Sequence, residues 1–244
     1  YTQKNRWLGA GFYNDHSKIR VRILSTNTND RFDRAYWQRK LQWAVDYRKT
    51  VMGPDFSCCR LIFGEADGFP GLTVDRFGSV LVAQVLCLGT ELIHETLLTD
   101  LVELLRGMGE TIDCVYLRND VGIREKEGLT QSKRYFLGSG NGHTEIVENG
   151  VHYDVDYING QKTGFFLDQK YNRAAVAKLA PGKKVLDCFT HTGAFGLNCA
   201  YAGAAHVTSV DVSESALETA RGNAALNHLD NIDFLCADVF ELLT

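Results

Sequence analysis

Residues 184–211 read KVLDCFTHTGAFGLNCAYAGAAHVTSVD, and this stretch decides the fold. Residues 184–189 and 207–211 are short, mostly apolar runs typical of buried strands, and residues 194–202 between them form a helical segment that Gly203 ends. A helix capped by Ser213 and a third run at residues 232–236 repeat the alternation. Strands joined by helices of this length pair in parallel through right-handed crossovers. The pattern predicts an open, doubly wound α/β sheet.

Three acidic residues fall where these strands end. Asp187 closes the first run, Asp211 closes the second, and Asp238 follows the third. Ligands of open α/β sheets bind beyond the carboxyl ends of the strands. Because a carboxylate in the position of Asp211 can accept both hydroxyls of a ribose, we predict that it recognises a nucleoside. Gly193, in the first turn, is expected to let a ligand approach the backbone.

The loop THTGAFG at residues 190–196 distinguishes between nucleoside cofactors. It lacks the Gly-x-Gly-x-x-Gly spacing that seats a pyrophosphate on backbone amides, so a dinucleotide is disfavoured. Adenosine attached to a sulfonium cation needs carboxylates instead, and Asp187 beside the methionine portion and Asp238 beside the adenine meet that need. S-adenosyl-L-methionine (SAM) is therefore the expected cofactor. Another nucleotide-binding fold stays open, as do helix-capping roles for Asp187 and Asp238.

A hairpin is expected just before this sheet. Asn149-Gly150 separates two alternating runs within residues 144–157, and Asn-Gly favours a tight turn because both positions need positive φ. Asp168 is then expected to cap a helix that reaches residue 179, before Pro181-Gly182.

Residues 60–137 are typical of a separate α+β unit. Strands are predicted at residues 60–63, 80–85 and 114–117, and a helix at residues 91–106 that ends before Gly107. The residues between the first two strands carry turn-forming glycines. The basic residues that follow the last strand are mixed with acids and are expected at the surface: Arg118, Arg124, Lys126, Lys133 and Arg134.

The N-terminal part of the chain is basic. Residues 1–50 hold eleven Lys and Arg against four Asp and Glu, a balance of +7 in a chain whose net charge is −4. In the strand predicted at residues 18–24, alternation would turn Ile19, Val21 and Ile23 inward and present Arg20 and Arg22 together to a phosphate backbone. The alternative is that these basic residues form only a solvated surface. From Asp33 an amphipathic helix follows, with Trp37 and Leu41 on its apolar side.

The cysteines and the hydropathy exclude several protein classes. Seven cysteines occur without a Cys-x-x-Cys spacing, which argues against a disulfide framework and a structural zinc site and favours a reducing cytoplasm. The longest apolar stretch, residues 80–88, is interrupted by Gln84 and is too short to span a bilayer.

Three segments together resemble a known family. They are GQKTGFFLDQKYNR at residues 160–173, VLDCFTHTG at residues 185–193 and DGFPGLTVDRFG at residues 67–78. They are similar to class I SAM-dependent methyltransferases that make 5-methylcytosine in large-subunit (23S) ribosomal RNA. Residues 11–24 resemble the last part of the RNA-binding PUA domain of these enzymes.

The resemblance implies a partial Rossmann-like class I methyltransferase sheet, a central α+β domain and a partial, β-rich PUA-like segment. The expected boundaries are residues 1–30 for the PUA-like segment, 31–58 for a linking helix, 59–142 for the central domain and 143–244 for the methyltransferase part. It also implies a set of cofactor-binding residues. These are Phe166, Asp168, Gln169, Arg173, Asp187, Phe189, Thr192, Gly193, Asp211, Ser213 and Asp238.

Some of these assignments compete with structural roles. Phe165 and Phe166 are equally well explained as core aromatics, and Arg173 as the partner of a neighbouring carboxylate. His191 stands where the family usually has Tyr, and Ala194 where it commonly has a second Gly, which leaves the finer cofactor contacts open.

The family's catalytic residues are a Cys nucleophile and an Asp in an Asp-Pro-Pro segment, and the resemblance places both beyond Thr244. The chain is therefore expected to be a fragment, truncated at both ends and inactive, of an enzyme that acts on large-subunit rRNA. Two alternatives stay open: a non-catalytic RNA-binding or assembly module with a vestigial nucleotide fold, and a SAM methyltransferase for another substrate. A homodimer is also left open.

Overall fold

The structure is a computed structural model that describes all residues from 1 to 244. The chain divides into two compact units, one made of residues 1–142 and 157–164 and the other of residues 143–156 and 165–244. None of the helices is both long and apolar enough to cross a membrane.

The first unit begins with a two-stranded antiparallel ribbon. It consists of β1 (Ala10–Tyr13) and β2 (Val21–Ser25). The helix α1 (Arg34–Met52) follows, and Asp33 caps it by accepting a hydrogen bond from the backbone N–H of Tyr36 at 2.8 Å. This is the cap that the sequence predicts. Trp37 and Leu41 lie on the buried side of α1, as expected.

A five-stranded sheet forms the body of the first unit. Its strands are β3 (Cys58–Phe63), β4 (Leu72–Phe77), β5 (Val80–Val85), β6 (Cys114–Asn119) and β7 (Ser132–Leu137), and they lie side by side in this order. β5 and β6 are parallel, and the other neighbours are antiparallel. Two helices, α2 (Leu88–Glu91) and α3 (His94–Gly107), follow β5.

One hydrophobic core joins α1, α3 and this sheet. Leu41 and Val45 of α1, Leu98 and Leu101 of α3, and Leu81 of β5 are among its fully buried members. Burying such side chains is worth about 1.5–3 kcal/mol each, so the apolar stripe of α1 is a main source of its stability.

Two strands of this sheet were not predicted. β4 is buried on both sides yet contains Asp75 and Arg76, so its sequence LTVDRF shows neither alternation nor an apolar run. Asp75 is compensated by Arg60, at 2.8 and 2.9 Å, and by the hydroxyl of Thr163 at 2.5 Å. The other missed strand, β7, lies at the edge of the sheet, where polar residues are tolerated.

The second unit begins with the hairpin of β8 (His143–Glu148) and β9 (Val151–Asp156). Asn149 and Gly150 have φ of 55° and 82°, as the Asn-Gly turn predicts. The βα layer then follows. Its elements are α4 (Lys170–Ala177), β10 (Lys184–Cys188), α5 (Ala194–Tyr201), β11 (His206–Asp211), α6 (Glu214–Leu226), β12 (Ile232–Cys236) and α7 (Val239–Leu242).

β10, β11 and β12 pair in parallel in that order, with α5 and α6 as the crossovers. The prediction of an open parallel sheet is confirmed. The expected capping of a helix by Asp168 is wrong, because residues 167–169 form a 3-10 turn and the carboxylate of Asp168 accepts a hydrogen bond from the side chain of Gln169 instead.

Candidate functional site

The acids of β10 and β11 lie at one edge of the parallel sheet and point to the same side. Asp187 pairs with Ser209 in the register of the two strands, and Asp211 comes two residues after Ser209. Because side chains alternate along a strand, Asp187, Ser209 and Asp211 share one face. The sequence prediction that the first two acids meet at the strand ends is consistent with this placement.

Asp187 is held by the loop and the helix that follow it. Its Oδ2 accepts hydrogen bonds from the hydroxyl of Thr190 at 2.5 Å and from the backbone N–H of Gly196 at 2.8 Å. Burial raises the pKa of Asp187 above its ordinary value, the charge of Asp211 adds to the rise, and the two donors oppose it. The fold thus places a carboxylate in a site that disfavours its charge.

Asp211 is oriented by backbone donors. Its Oδ2 accepts from the N–H of His191 at 2.8 Å, and its Oδ1 accepts from the N–H of Ser213 at 3.0 Å. An ionised carboxylate offers about four acceptor positions, so each oxygen keeps a lone pair for a further donor. The hydroxyl of Ser213 caps α6 by accepting from Ala216 N–H at 3.3 Å.

His191 lies between Asp211 and the segment before α4. Its ring meets that of Phe166 edge to face, with centroids 5.7 Å apart. Burial lowers the pKa of His191, although Asp211 opposes the shift. His191 and Phe189 both have positive φ, 52° and 58°, so the loop is tightly turned around Thr190, which is buried.

Two glycines shape the start of α5, for different reasons. Gly193 has φ of 83°, and a Cβ added to it would lie 2.9 Å from the Cβ of Ala220 in α6. The missing side chain of Gly193 therefore allows α5 and α6 to pack closely. A Cβ on Gly196 would lie 2.3 Å from Oγ of Ser209 and 3.1 Å from Oδ2 of Asp187.

The end of the third strand shows the capping role that was left open for Asp238. Its Oδ1 accepts from the N–H of Phe240 at 2.7 Å and from that of Glu241 at 3.3 Å, which begins α7. The rings of Phe189 and Phe240 are 5.7 Å apart and both are exposed. Asp238 is exposed too, so its second oxygen is available to a ligand.

Arg173 is not exposed to a cleft. It forms a two-point ion pair with Glu148 of β8, at 2.6 and 2.9 Å, and both side chains are 2% exposed. Its guanidinium also donates to the carbonyl of Phe166 at 2.8 Å and lies 4.8 Å from the centre of the Phe165 ring. This geometry favours the ion-pair alternative and makes Arg173 a residue that positions Phe166.

The remaining predicted residues are distributed around this arrangement. Phe165 is a core aromatic against Tyr153, whereas Phe166, Gln169 and Thr192 are half-buried and Asp168 is exposed. Glu148 and Thr190 are not among the predicted site residues. Thr190 lies within the quoted loop, but nothing in the sequence marks Glu148 as the partner of a residue 25 positions away.

The predicted arrangement of Arg20 and Arg22 is wrong. Ile19, Val21 and Ile23 are more than half exposed, while Arg22 turns inward to Glu65 and Glu127, each at 3.0 Å. Alternation predicts which residues share a face but not which face is covered, and the buried carboxylate of Glu127 attracts the guanidinium. Arg20 remains exposed and pairs with Asp15 at 2.8 Å.

Arg118 and Arg124, which were expected at the surface, are also buried in the first unit. Arg118 donates to the carbonyls of Tyr157 and Gly160, at 3.2 and 2.9 Å. Arg124 pairs with Glu91 at 2.9 Å and donates to the carbonyl of Thr130 at 2.8 Å. Both guanidinium groups form ion pairs within the first unit, and composition alone does not predict this burial.

Comparison with known proteins identifies the class of fold. Residues 129–243 match the family model described as S-adenosylmethionine-dependent methyltransferase, and residues 1–26 match that of a PUA-like domain. The chain thus contains a Rossmann-like SAM methyltransferase fold and a PUA-like N-terminal segment, which confirms the predicted fold class.

Several relatives are similar to this chain in sequence. A protein of Aliivibrio fischeri named ribosomal RNA large subunit methyltransferase I is 40% identical over 248 residues, which cover 100% of this chain and 61% of the relative. A protein of Shewanella denitrificans with the same name is 42% identical over 242 residues, covering 98% and 60%. The chain thus spans about three fifths of the length of these relatives.

Solved structures with a similar fold are also known. A Streptococcus mutans protein described as a candidate SAM-dependent methyltransferase matches with a TM-score of 0.82 and 25% identity, over 99% of this chain and 62% of its own. A candidate methyltransferase complexed with S-adenosylhomocysteine (SAH) matches with a TM-score of 0.80 and 25% identity, over 96% and 60%.

Proposed function

We propose that the intact protein is a SAM-dependent methyltransferase that forms 5-methylcytosine in large-subunit rRNA. The observation that carries the proposal is the pair of carboxylates, Asp187 and Asp211, on one face at the ends of adjacent parallel strands. The family match over residues 129–243, the names of the relatives and the SAH bound to a structural neighbour support it.

The residues of the second unit fit the cofactor. The free lone pairs of Asp211 would accept the ribose hydroxyls, and Ser213 would hold Asp211 in place. Asp187 would face the cationic methionine portion, and the free oxygen of Asp238 the adenine. SAM supplies an electrophilic methyl group on a sulfonium. Because the pKa of His191 is lowered, its ring is neutral at pH 7 and does not repel that cation.

The loop residues and the segment before α4 would complete the site. Phe166, positioned by Arg173, packs against His191, and Phe189 with Phe240 would offer an apolar wall. We propose that Asp168, Gln169, Thr192 and Gly193 border the cofactor, as the family resemblance implies.

Methylation at C5 needs a thiolate that adds to C6 of the cytosine, since the ring carbon is otherwise unreactive. Burial raises the pKa of Cys59 to about 12 and also raises the pKa of Cys114 and Cys199, which disfavours their thiolates. From the family resemblance we propose that the nucleophile is a Cys that follows the third strand of the methyltransferase sheet, together with an Asp in an Asp-Pro-Pro segment. The seven cysteines form no disulfide bond.

Calorimetric titration tests the cofactor assignment. We expect SAH to bind and NAD not to bind. Asp211→Ala should weaken SAH binding by roughly tenfold to a hundredfold, the value of hydrogen bonds to a charged acceptor. Asp230→Ala, which removes an exposed acid of the same unit, is the matched control and should bind SAH normally. Tight NAD binding without any response to SAH would overturn the proposal.

Nucleoside analysis tests the substrate. After incubation of the intact protein with SAM and undermethylated 23S rRNA, digestion and mass spectrometry should detect 5-methylcytidine. A methyl group on another nucleoside, or on protein, would keep the cofactor assignment and reject the cytosine assignment. SAH binding without methyl transfer to any RNA would favour the non-catalytic module.

A further inference from the structure

The outer face of α1 carries an exposed row of large apolar side chains. Trp43, Tyr47 and Val51 are spaced four residues apart, so they form one row along the helix. Their exposed fractions are 63%, 58% and 48%. Phe63, at the end of β3, is exposed to 54%. Single exposed apolar residues are ordinary, but a continuous row of large ones marks an interaction surface.

Each of these aromatic rings has a cation over it. The ammonium of Lys40 lies 5.9 Å from the centre of the Trp43 ring, and the guanidinium carbon of Arg48 lies 4.9 Å from that of Tyr47. The guanidinium carbon of Arg60 lies 5.2 Å from the centre of the Phe63 ring. A cation held over a ring fixes the orientation of that ring at modest cost. The rings nevertheless keep more than half of their surface open.

Ion pairs fix two of the three cations. Arg60 pairs with Asp75 at 2.8 Å. Arg48 pairs with Asp67 at 2.7 Å and donates to the carbonyl of Arg60 at 2.8 Å. Asp67 also accepts from the N–H of Phe63 at 2.7 Å, which joins the end of β3 to the side of Tyr47. The Tyr47 and Phe63 rings are therefore parts of one preorganised surface rather than two mobile side chains.

The charge around these exposed rings is positive. α1 contains five Lys and Arg and one acidic residue, Asp46. Arg34 and Arg48 are paired, whereas Arg39, Lys40 and Lys49 make no ion pair. Flat, open π-faces beside unpaired cations fit a polyanion with exposed bases, because bases stack on aromatic rings while cations neutralise phosphates.

We propose that the α1 ridge, defined as Trp43, Tyr47 and Phe63 with Arg39 and Lys40, is a binding surface for unpaired nucleotides of RNA. This inference deepens the proposed function, since it gives the RNA substrate a surface in the first unit. Trp43 and Tyr47 stack on bases, and Arg39 and Lys40 bind the adjoining phosphates.

Fluorescence anisotropy with a labelled single-stranded 12-nucleotide RNA and a blunt RNA duplex of the same length tests the proposal. Trp43→Ala and Tyr47→Ala should each weaken binding of the single strand by about fivefold or more, the lower end for loss of one stacked ring. Trp43→Phe should retain most of the affinity. Tyr201→Ala, which removes an equally exposed tyrosine of the second unit, should change nothing.

Salt titration separates stacking from charge. Arg39→Ala should lower the slope of log affinity against log salt by about 0.7, as expected for one phosphate contact on a single strand. Trp43→Ala should weaken binding without changing that slope. Thermal unfolding of each variant shows that it is folded, and SAH titration, expected to be unchanged, keeps this test independent of the cofactor assignment.

Two results would overturn the proposal. One is a Trp43→Ala/Tyr47→Ala double variant that binds the single strand as tightly as the native protein. The other is loss of self-association in that variant, seen by sedimentation, with RNA binding intact, because the ridge would then contact a second copy of the chain. Failure here with normal SAH binding rejects the RNA surface and leaves the methyltransferase assignment standing.

Discussion

Asp187 carries a negative charge where its surroundings oppose one. Because burial raises its pKa, the folded state binds more protons than the unfolded state between the ordinary value of 3.8 and the raised value. The free energy of unfolding therefore falls as the pH rises through that window, and the deficit persists at pH 7. A residue kept at the expense of stability is a candidate for function.

Replacing Asp187 by Asn tests this balance. The amide oxygen can still accept from Thr190 and Gly196, so we expect Asp187→Asn to be at least as stable as the native protein at pH 7. The difference in melting temperature should shrink below pH 4. SAM affinity should fall roughly tenfold to a hundredfold, since an interaction with a charged group is lost. A variant with native SAM affinity would remove Asp187 from the site.

At the residue scale, the sequence predicts which acidic residues lie at the strand ends better than it predicts which side chains pair with each other. Strand ends are readable from hydrophobic runs, so Asp187, Asp211 and Asp238 could be named in advance. The partners of Arg173 and Arg22 could not, because Glu148 and Glu127 are brought to them by tertiary packing. Burial of Arg118 and Arg124 escaped prediction for the same reason.

At the scale of elements, Gly196 lies within α5, where helix propensity favours alanine over glycine. Alanine is the better helix former by about 0.8–1.0 kcal/mol. At Gly196, however, the added Cβ would meet Ser209 at 2.3 Å and Asp187 at 3.1 Å. We expect Gly196→Ala to lower the free energy of unfolding by about 1–3 kcal/mol, as overpacking does.

Gly222 in α6 is the matched control, since a Cβ there would meet nothing within 4 Å. Gly222→Ala should stabilise the protein by about 0.5–1 kcal/mol. Urea unfolding measures both. Equal effects of the two substitutions would show that the close approach of α5 to β10 and β11 is not what requires a glycine.

The Arg173–Glu148 pair connects the hairpin to α4. Because both partners are buried, removing one leaves an unpaired charge, and we expect Arg173→Met or Glu148→Leu alone to cost about 3–5 kcal/mol. The double variant should be much less destabilised than the sum of the two. A double-mutant cycle by urea unfolding measures this coupling.

The exposed pair Arg221–Glu214 in α6 is the control for that cycle, and Arg221→Ala should have no measurable effect on the free energy of unfolding.

Measuring SAH affinity distinguishes a role of Arg173 in positioning the site from a role in stability alone. Arg173→Met should weaken SAH binding more than Glu148→Leu does, compared at equal loss of stability, because the Arg173 guanidinium donates to the carbonyl of Phe166 and Glu148 does not. Equal weakening by the two substitutions would reduce Arg173 to a purely structural role.

The predictability of elements follows their patterning. The helices and strands of residues 184–236 were predicted within about two residues, because apolar runs, caps and glycine stops agree there. β4 was missed because its buried Asp75 and Arg76 break the hydrophobic pattern. The faces of β2 were reversed, because alternation does not say which side is covered.

At the scale of the whole molecule, each unit has its own sheet, and the tryptophans report on only one. Trp7, Trp37 and Trp43 are the three tryptophans of the chain, and all lie in the first unit. Tryptophan fluorescence therefore follows unfolding of that unit, whereas calorimetry follows both. The proposed cofactor residues all lie in the second unit.

This separation gives a direct assignment of the binding site. SAH at 100 times its dissociation constant should stabilise the unit that binds it by about 2.7 kcal/mol. We expect the calorimetric transition of the second unit to rise and the tryptophan-detected transition to move less. Asp211→Ala should abolish the rise. If SAH instead raised the tryptophan-detected transition and left the other unchanged, its site would be in the first unit, and the strand-end carboxylates would be only structural.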